Sequence, residues 1–320
     1  RRRLETLAVL YHTISIALFL SIFFLLCAIP LLWPIIIVYL VWTIIDDAPE
    51  NGTDRRQMWL RKSKLWRWFT DYYPMTLHKT HELDPKRKYI FGYHPHGIIS
   101  MGAMGNLATE ATGFTELFPG ITNTVLTLAS NFHMPIYRDY LMAQGLASVS
   151  KRSCENILRQ GPGRAITIVI GGAQESLLSR PHVNDLVLKK RLGVFKIAMR
   201  QGADLVPIYS FGENDIYQQI RNEPGTWLYT FQQLFKKGAG FTVPMFHARG
   251  VLNYDFGLMP FRAPINTVVG RPIRVEKNAN PSLEEIQAVQ AQYIEALTEI
   301  WDQHKDDFAT DREKDMCITE

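Results

Sequence analysis

Residues 89–97 read YIFGYHPHG, and the fold class of the chain follows from this segment and its counterparts further along. The first five residues are aromatic, β-branched or glycine, which is typical of a short strand, and the proline and glycine after them indicate a turn. Further runs with strand character lie at residues 124–128, 165–170, 204–209 and 264–269. Helical patterns occupy residues 153–160 and 189–201. This alternation predicts an α/β body with a mixed or largely parallel sheet flanked by helices.

Two histidines stand where the first strand ends, His94 and His96, with Pro95 between them. Ligands of such sheets bind at the carboxyl ends of the strands, so this position is a candidate site. Both rings could be hydrogen-bonded parts of a turn, or they could ligate a metal. Alternatively, one could act as a general base while Pro95 and Gly97 fix a turn that brings main-chain N–H groups to a reacting carbonyl. Pro95 and the lack of an HExxH motif count against the metal.

A second candidate site follows the strand predicted at 165–170 and reads GGAQES at residues 171–176. Gly171 and Gly172 would let the main chain approach a ligand, and Glu175 would stand where a carboxylate can orient an imidazole. A plain turn with a solvated Glu175 is the alternative. The sequence has no GxSxG and no phosphate-binding glycine motif, which argues against a serine hydrolase and a nucleotide loop. The polar turn at 212–215, after the strand predicted at 204–209, is uninformative by itself.

The N-terminal region is a separate unit by composition. Residues 6–45 hold no Asp, Glu, Lys or Arg, and 32 of these 40 residues are apolar. As one helix they would extend about 60 Å, twice the roughly 30 Å hydrocarbon core of a bilayer. Pro30 and Pro34 lie near the middle, where a chain would turn back. We therefore expect residues 1–50 to form an N-terminal transmembrane helical hairpin, with a single tilted crossing as the alternative.

Residues 51–88 are expected to lie at the membrane interface. The stretch 54–88 holds ten Lys or Arg against four Asp or Glu, and residues 1–3 are all Arg, so both flanks of the apolar run are positive. This places both ends of the hairpin, and the body after them, on the cytoplasmic side. The aromatic residues of this segment are Trp59, Trp66, Trp68, Phe69, Tyr72 and Tyr73. Mixed with cations they could also stack bases, but beside an apolar run lipid anchoring explains them better, and no nucleic-acid partner is expected.

The remainder of the chain has the composition of one globular domain. Without the apolar run, roughly 42% of the residues are hydrophobic, which is enough for a core. We assign residues 89–309 to this domain and residues 310–320 to a polar tail. Its last helix should start near Ser282, with Pro281 just inside the start and Glu285 completing a capping box. Three scattered cysteines without a CxxC pair argue against a disulfide framework and a structural zinc site.

Six segments together resemble the type-2 diacylglycerol acyltransferase family, which also includes monoacylglycerol and wax-alcohol acyltransferases. In sequence order they are residues 93–97 (YHPHG), 171–177 (GGAQESL), 191–201, 205–215, 246–250 (FHARG) and 268–273 (VVGRPI). The resemblance extends from the apolar run to the C-terminal helix. It implies an endoplasmic-reticulum enzyme with a cytosol-facing catalytic domain, which can also associate with lipid droplets.

The resemblance also implies a reaction and a set of site residues. A fatty acyl group would pass from acyl-CoA to the free hydroxyl of 1,2-diacylglycerol, giving triacylglycerol, with His96 as general base. The wider glycerolipid acyltransferases place an Asp five positions after the His, whereas this chain has Ile99 and Met101 there. Glu175 is therefore the candidate to orient the imidazole. Residues expected to line the substrate site are His94, Pro95, Gly97, Gly171, Gly172, Arg138 and Arg191.

The sequence also indicates which molecules the protein could bind and which other functions it could have. Arg138, Lys189, Lys190 and Arg191 could contact the phosphates of CoA, although each could equally be a solvated surface residue. Acyl-CoA is a co-substrate, and no metal or other cofactor is implied. Membrane lipid is an expected partner, and homo-oligomer formation stays open. A monoacylglycerol or long-chain-alcohol acceptor is the nearer alternative, and a non-catalytic lipid-droplet hairpin protein is the more distant one.

Overall fold

A computed structural model describes residues 1–52, 55–219, 226, 234, 245–251 and 256–319. Its strands are β1 (Thr76–Lys79), β2 (Tyr89–His94), β3 (Thr122–Thr127), β4 (Leu146–Ser148), β5 (Arg164–Val169), β6 (Asp185–Val187), β7 (Asp204–Phe211), β8 (Gln218–Gln219), β9 (Phe246–His247), β10 (Asn266–Val269) and β11 (Cys317–Thr319). Its helices are α1 (Arg2–Cys27), α2 (Trp33–Ile45), α3 (Ala48–Asn51), α4 (Met58–Arg61), α5 (Lys64–Tyr72), α6 (Met101–Leu107), α7 (Phe114–Leu117), α8 (Tyr137–Ala143), α9 (Lys151–Arg159), α10 (Gly172–Ser176), α11 (Leu192–Gln201) and α12 (Leu283–Phe308). Short 3₁₀ helices lie at Pro30–Leu32 and Ala129–His133.

The main sheet has seven strands in the order β1-β10-β7-β2-β5-β3-β4. Its neighbouring strands are parallel, apart from the antiparallel pair β10 and β7. This confirms the predicted α/β class with a largely parallel sheet. The five predicted strands all form, within about two residues of their expected bounds. The central strands β2 and β7 are buried along their whole length, because helices cover both faces of a sheet of this kind.

Alternate residues of β2 belong to two separate cores. Tyr89 and Phe91 pack into the core on one face, whereas Ile90 packs into the other. The second core also receives Tyr293 and Trp301 from α12. This is the alternation that a pleated strand imposes when both of its faces are covered. The site described below lies at the end of this doubly buried strand.

The start of α12 follows the predicted capping box. The N–H of Glu285 donates to Ser282 Oγ at 3.1 Å, and the N–H of Ser282 donates to Glu285 Oε2 at 2.7 Å. Ser282 is the N-cap, so Pro281 lies one residue before the helix boundary instead of just inside it. Beyond α12, the tail carries a strand that the sequence analysis did not expect. β11 pairs in parallel with β6, with Cys317 opposite Asp185.

The apolar run forms two helices, α1 and α2. The chain is broken between them near Pro30, where a break was predicted, and Pro34 lies in the first turn of α2. The helical segments Arg2–Cys27 and Pro30–Asn51, the second of which contains α2, are long and apolar enough to cross a membrane by length and composition alone. The first half of α1 packs on the body, where Ala8 and Val9 are buried with α5. In contrast, α2 has no buried residue, and its Val38 is 70% exposed. Tyr39 of α2 donates its hydroxyl to Asp139 Oδ2 at 2.6 Å, so α2 also contacts the body, while it presents an uncovered apolar face elsewhere.

The segment 51–88 differs from the expectation of a lipid-facing interface. Trp66, Phe69, Tyr72 and Tyr73 are all buried, with α1 packed over them, whereas Trp59 is 71% exposed. An aromatic side chain without exposure cannot reach lipid headgroups, so of these five residues only Trp59 suits that role. The same segment also contains β1, which pairs with β10. The main sheet thus begins before residue 89.

Candidate active site

Three neighbouring parallel strands end at the candidate site. β2 lies between β5 and β7 and is parallel to both, so the carboxyl ends of the three strands lie at one edge of the sheet. The segment HPHG at 94–97 ends β2, GGAQES at 171–176 follows β5, and GEND at 212–215 follows β7. The first two of these segments were predicted to meet at this edge, and they do. The third was not assigned a role from the sequence.

His96 is held as one defined tautomer. Its Nδ1 lies 3.1 Å from the carbonyl oxygen of Gly97, and a carbonyl can only accept, so Nδ1 carries the proton. In the neutral ring Nε2 is then an unprotonated acceptor, and no described residue bonds to it. Burial lowers the pKa of His96, the Gly97 carbonyl raises it and the nearby Arg191 cation lowers it, for a net fall. The ring is therefore neutral near pH 7, with a free lone pair on Nε2.

Glu175 reaches His96 through the main chain and not through the ring. Its Oε1 accepts the N–H of His96 at 2.5 Å, and its Oε2 accepts the N–H of Val187 at 2.8 Å. The expected contact between this carboxylate and the imidazole is thus replaced by the Gly97 carbonyl. Burial raises the pKa of Glu175 to about 7, with the two main-chain donors and the Arg191 cation acting against it. Glu175 is not the solvated residue of a plain turn, because it is 1% exposed.

The glycine pair makes room for this carboxyl. A Cβ on Gly171 would lie 2.2 Å from both Cδ and Oε2 of Glu175, so no other residue fits there without moving Glu175. The carbonyl of Gly171 accepts Nη2–H of Arg191 at 2.7 Å. This bond holds the guanidinium beside the turn, where its charge acts on both His96 and Glu175. A Cβ on Gly172 would lie 3.6 Å from Arg191 Nη2, so Arg191 lies beside both glycines, and a role for these residues in substrate binding stays a prediction.

The surroundings of His94 are those of a buried residue that holds the structure together. It is completely buried, and its Nε2 lies 3.0 Å from the hydroxyl oxygen of Tyr293. That hydroxyl donates to the carbonyl of Gly92 at 3.0 Å, so it accepts from Nε2–H of His94. Burial lowers the pKa of His94 to about 3. His94 is thus a neutral ring tied to α12, and the bond that joins it to Pro95 is cis.

Glu213 is the site residue that the sequence analysis missed. It follows β7 as Glu175 follows β5, and it is completely buried. Its Oε2 accepts the hydroxyl of Tyr93 at 2.6 Å and the N–H of Gly102 at 2.9 Å. The signal that could have found it is positional, since an acidic residue next to a glycine follows the carboxyl end of a buried strand. Glu175 likewise follows the end of a strand, three positions after Gly172.

The basic residues expected to meet CoA have different surroundings. Arg138 is 1% exposed and lies at the C-terminal end of α2, where its Nη2–H donates to Asp46 Oδ2 at 2.7 Å and its Nε–H donates to the carbonyl of Phe132 at 3.2 Å. Arg138 therefore belongs to a structural ion pair with Asp46. Lys189 and Lys190 are exposed next to the buried strand β6. Arg191 contacts the glycine turn through the carbonyl of Gly171.

The described residues contain no group of three or more His, Cys, Asp or Glu side chains arranged as metal ligands. The two rings of the His-Pro-His segment have separate partners, since His94 bonds to Tyr293 and His96 bonds to the carbonyl of Gly97. The arrangement at the strand ends is that of a positioned neutral imidazole. Chemically, it can take a proton from a hydroxyl group.

Comparison with known proteins agrees with the predicted resemblance. A sequence model described as diacylglycerol acyltransferase matches residues 23–319. Diacylglycerol O-acyltransferase 2B of Umbelopsis ramanniana is 56% identical over 322 residues, covering 99% of this chain and 92% of that protein. The bovine 2-acylglycerol O-acyltransferase 1 is 44% identical over 309 residues, covering 95% of this chain and 92% of that protein. The solved 1-acyl-sn-glycerophosphate acyltransferase of Thermotoga maritima has a TM-score of 0.43 at 12% identity, covering 94% of this chain and 97% of that one. Both the family match and the identity extend over nearly the whole chain, and the chain therefore belongs to the diacylglycerol acyltransferase family.

Proposed function

We propose that the protein transfers a fatty acyl group from acyl-CoA to the free hydroxyl of 1,2-diacylglycerol, giving triacylglycerol and CoA. The proposal rests on the family and on one feature of the site. That feature is the His96 ring, whose Nδ1–H is held by the Gly97 carbonyl while Nε2 has no partner among the described residues. A neutral imidazole held in this way is a general base suited to activating an alcohol.

In the first step, His96 Nε2 takes the proton of the acceptor hydroxyl while the oxygen attacks the thioester carbonyl. A C–O bond forms and the carbonyl becomes a tetrahedral oxyanion. The Gly97 carbonyl keeps accepting from Nδ1–H and stabilises the imidazolium. The Gly97 carbonyl thus has the role that was expected of the Glu175 carboxylate.

In the second step, the oxyanion collapses and the C–S bond breaks. CoA leaves as a thiolate, and the imidazolium of His96 returns its proton to that sulfur. The free base is regenerated, so no covalent acyl-enzyme forms and the scheme uses no cofactor beyond acyl-CoA. Arg191 lies beside His96 and provides a positive charge for the negative groups of acyl-CoA.

Glu175 and the glycine segment act on the position of the base. The Glu175 carboxyl holds the main chain of His96, and its second oxygen is anchored by Val187 of β6. The turn is thereby fixed on two sides, which keeps Nε2 in place for the acceptor. Glu175 is accordingly a positioning residue in this scheme, because it does not touch the imidazole.

The apolar helices α1 and α2 favour a membrane location for the enzyme. Diacylglycerol and triacylglycerol dissolve in membranes, and α2 presents an apolar face with no buried residue. We infer that α1 and α2 insert into the endoplasmic-reticulum membrane with the catalytic body in the cytosol, and that the protein can also reach lipid droplets. Both flanks of the run are basic, which agrees with this orientation.

The proposal is tested with labelled acyl-CoA and purified protein in lipid nanodiscs. His96→Ala should lower turnover by about 10²–10⁴-fold, the usual contribution of a general base. His81→Ala is the matched control, since His81 is an exposed histidine outside the site. Full turnover by folded His96→Ala would exclude the general-base assignment, and added zinc that restores activity lost to a chelator would bring back the metal alternative.

A 2-acylglycerol acceptor is the second candidate, because the bovine relative named for that acceptor is 44% identical over most of the chain. The assay should therefore compare diacylglycerol, monoacylglycerol and a long-chain alcohol at equal mole fractions in the bilayer. The acceptor with the highest kcat/KM identifies the activity. If the wild type transfers to none of them, the non-catalytic hairpin protein becomes the better interpretation.

A further inference from the structure

The carboxyl of Glu213 ties together the two ends of the turn that carries His96. Its Oε2 accepts the hydroxyl of Tyr93 at 2.6 Å and the N–H of Gly102 at 2.9 Å. Tyr93 lies in β2 directly before the HPHG segment, and Gly102 lies in the first turn of α6. One buried oxygen therefore spans the turn that connects β2 to α6, and it does so from the neighbouring strand β7.

Packing at Gly97 adds a third contact. A Cβ on Gly97 would lie 2.9 Å from Glu213 Cγ and 3.2 Å from the Glu213 carbonyl oxygen. Gly97 also has a φ of +59°, a conformation that favours glycine. Gly97 is the residue whose carbonyl sets the tautomer of His96. Glu213 thus packs directly behind the group that orients the base.

We propose that Glu213 is a positioning residue of acyl transfer, which holds the 95–101 turn so that the Gly97 carbonyl meets Nδ1 of His96. This inference rests on the proposed function of His96. Among the described residues Glu213 bonds to Tyr93 and Gly102 and not to the imidazole, so it acts through the main chain. Together with Glu175, it places one buried carboxyl on each side of the turn.

The role requires an acceptor oxygen and not a negative charge. Both partners of Oε2 are donors, and Oε1 has no hydrogen-bond partner among the described residues. Burial also raises the pKa of Glu213 to about 7, so near neutral pH a large share of the carboxyl is uncharged. Glutamine has a side chain of the same length and keeps one acceptor oxygen. It should therefore replace Glu213, whereas alanine should not.

The experiment measures kcat and the KM for acyl-CoA with the full chain in nanodiscs, normalised to folded protein. Glu213→Ala should lower kcat by about 100-fold, the cost of a base displaced by about 1 Å, with less than a threefold change in KM. Glu213→Gln should restore kcat to within about fivefold of wild type. Asp204→Ala is the matched control, because Asp204 is also buried and lies at the opposite end of β7, paired with Arg87. It should lose stability but keep kcat within about threefold.

Three outcomes would overturn the proposal. These are a kcat of folded Glu213→Ala near wild type, equal falls in Glu213→Ala and Asp204→Ala, and a Glu213→Gln variant as slow as the alanine variant. If Glu213→Ala does not fold, Tyr93→Phe removes one of the two donors and keeps the carboxyl. It should slow turnover by about 3–10-fold, and unchanged turnover would count against the role. Wild-type turnover by His96→Ala would instead refute the proposed role of His96, on which this inference rests.

Discussion

Replacing Gly171 by Ala tests the support of His96 with one added methyl group. Gly171 has φ −59° and ψ −36°, which alanine adopts without strain, so the effect is one of space alone. The new Cβ would lie 2.2 Å from Cδ and Oε2 of Glu175, whereas ordinary contact begins near 3.4 Å. The Glu175 carboxyl must therefore move by about 1 Å, away from the donors that hold it.

The magnitude follows from the hydrogen bonds that this movement strains. Glu175 accepts the N–H groups of His96 and Val187, and it is 1% exposed, so water cannot replace the carboxyl. Each buried group left unsatisfied costs about 1–3 kcal/mol, so the two N–H groups together predict a loss of roughly 2–6 kcal/mol of unfolding free energy. A displacement of His96 by about 1 Å would lower kcat by about 100-fold.

Gly193→Ala is the matched control. Gly193 lies in α11, and a Cβ there would meet no heavy atom within 4 Å. Alanine should be neutral or stabilise this helix by up to about 1 kcal/mol. Both variants are compared by denaturant titration and by turnover per folded molecule. The reasoning is refuted if Gly171→Ala matches Gly193→Ala in kcat and in stability.

Three other substitutions separate structural contacts from chemistry. Burial raises the pKa of Glu175 to about 7 from 4.5, so the unfolded chain loses this proton first and the unfolding free energy falls as pH rises between those values. Glu175→Gln should remove up to about 3 kcal/mol of that fall, which denaturant titrations at pH 4.5 and 7.5 would show. Tyr293→Phe leaves His94 without its partner and should lower stability by about 1–3 kcal/mol, while turnover per folded molecule changes by less than about threefold. Arg138→Leu removes one of the two cations that pair with Asp46, since Arg55 Nη2 also lies 2.7 Å from Asp46 Oδ1. The melting temperature should fall through a loss of about 1–3 kcal/mol, and a raised KM for acyl-CoA would instead support a contact with CoA.

The edge of the sheet that carries the site could be predicted from the sequence, but the atoms in contact could not. Strand patterns and the glycines and prolines after them are local signals, so they placed His96 and Glu175 at the same strand ends. Which atom of His96 meets Glu175 depends on side-chain direction and on the close approach at Gly171. The spacing of residues along the sequence gives neither the side-chain direction nor the distance of this approach. The oxygen that orients the ring belongs to a main-chain carbonyl, a group that every residue carries.

Charged and aromatic residues were harder to assign because their partners are distant in sequence. Arg138 pairs with Asp46, which is 92 positions away, so a basic residue next to a motif gave no sign of being buried. Trp66 and Phe69 lie on an amphipathic helix, and that pattern serves a membrane surface and a protein core equally well. The structure decides between them, because α1 covers α5.

Two buried carboxyls hold the loop that carries His96, and this chain has Ile99 and Met101, not Asp, five positions after its two histidines. In each case a glycine without a Cβ lies against an acidic side chain, Gly171 against Glu175 and Gly97 against Glu213. The two carboxyls come from the ends of β5 and β7, the strands on either side of β2. Glu175 accepts the N–H of His96 inside the loop, and Glu213 accepts the N–H of Gly102 in the first turn of α6, where the loop ends. The loop is thereby held from both sides, and the Gly97 carbonyl can then orient His96 without any carboxylate on the ring. The rate of acyl transfer should consequently depend on the shape of the turn more than on a charge beside His96. Glutamine at position 175 or 213 keeps an acceptor oxygen and should preserve the rate, whereas alanine removes it and should lower the rate.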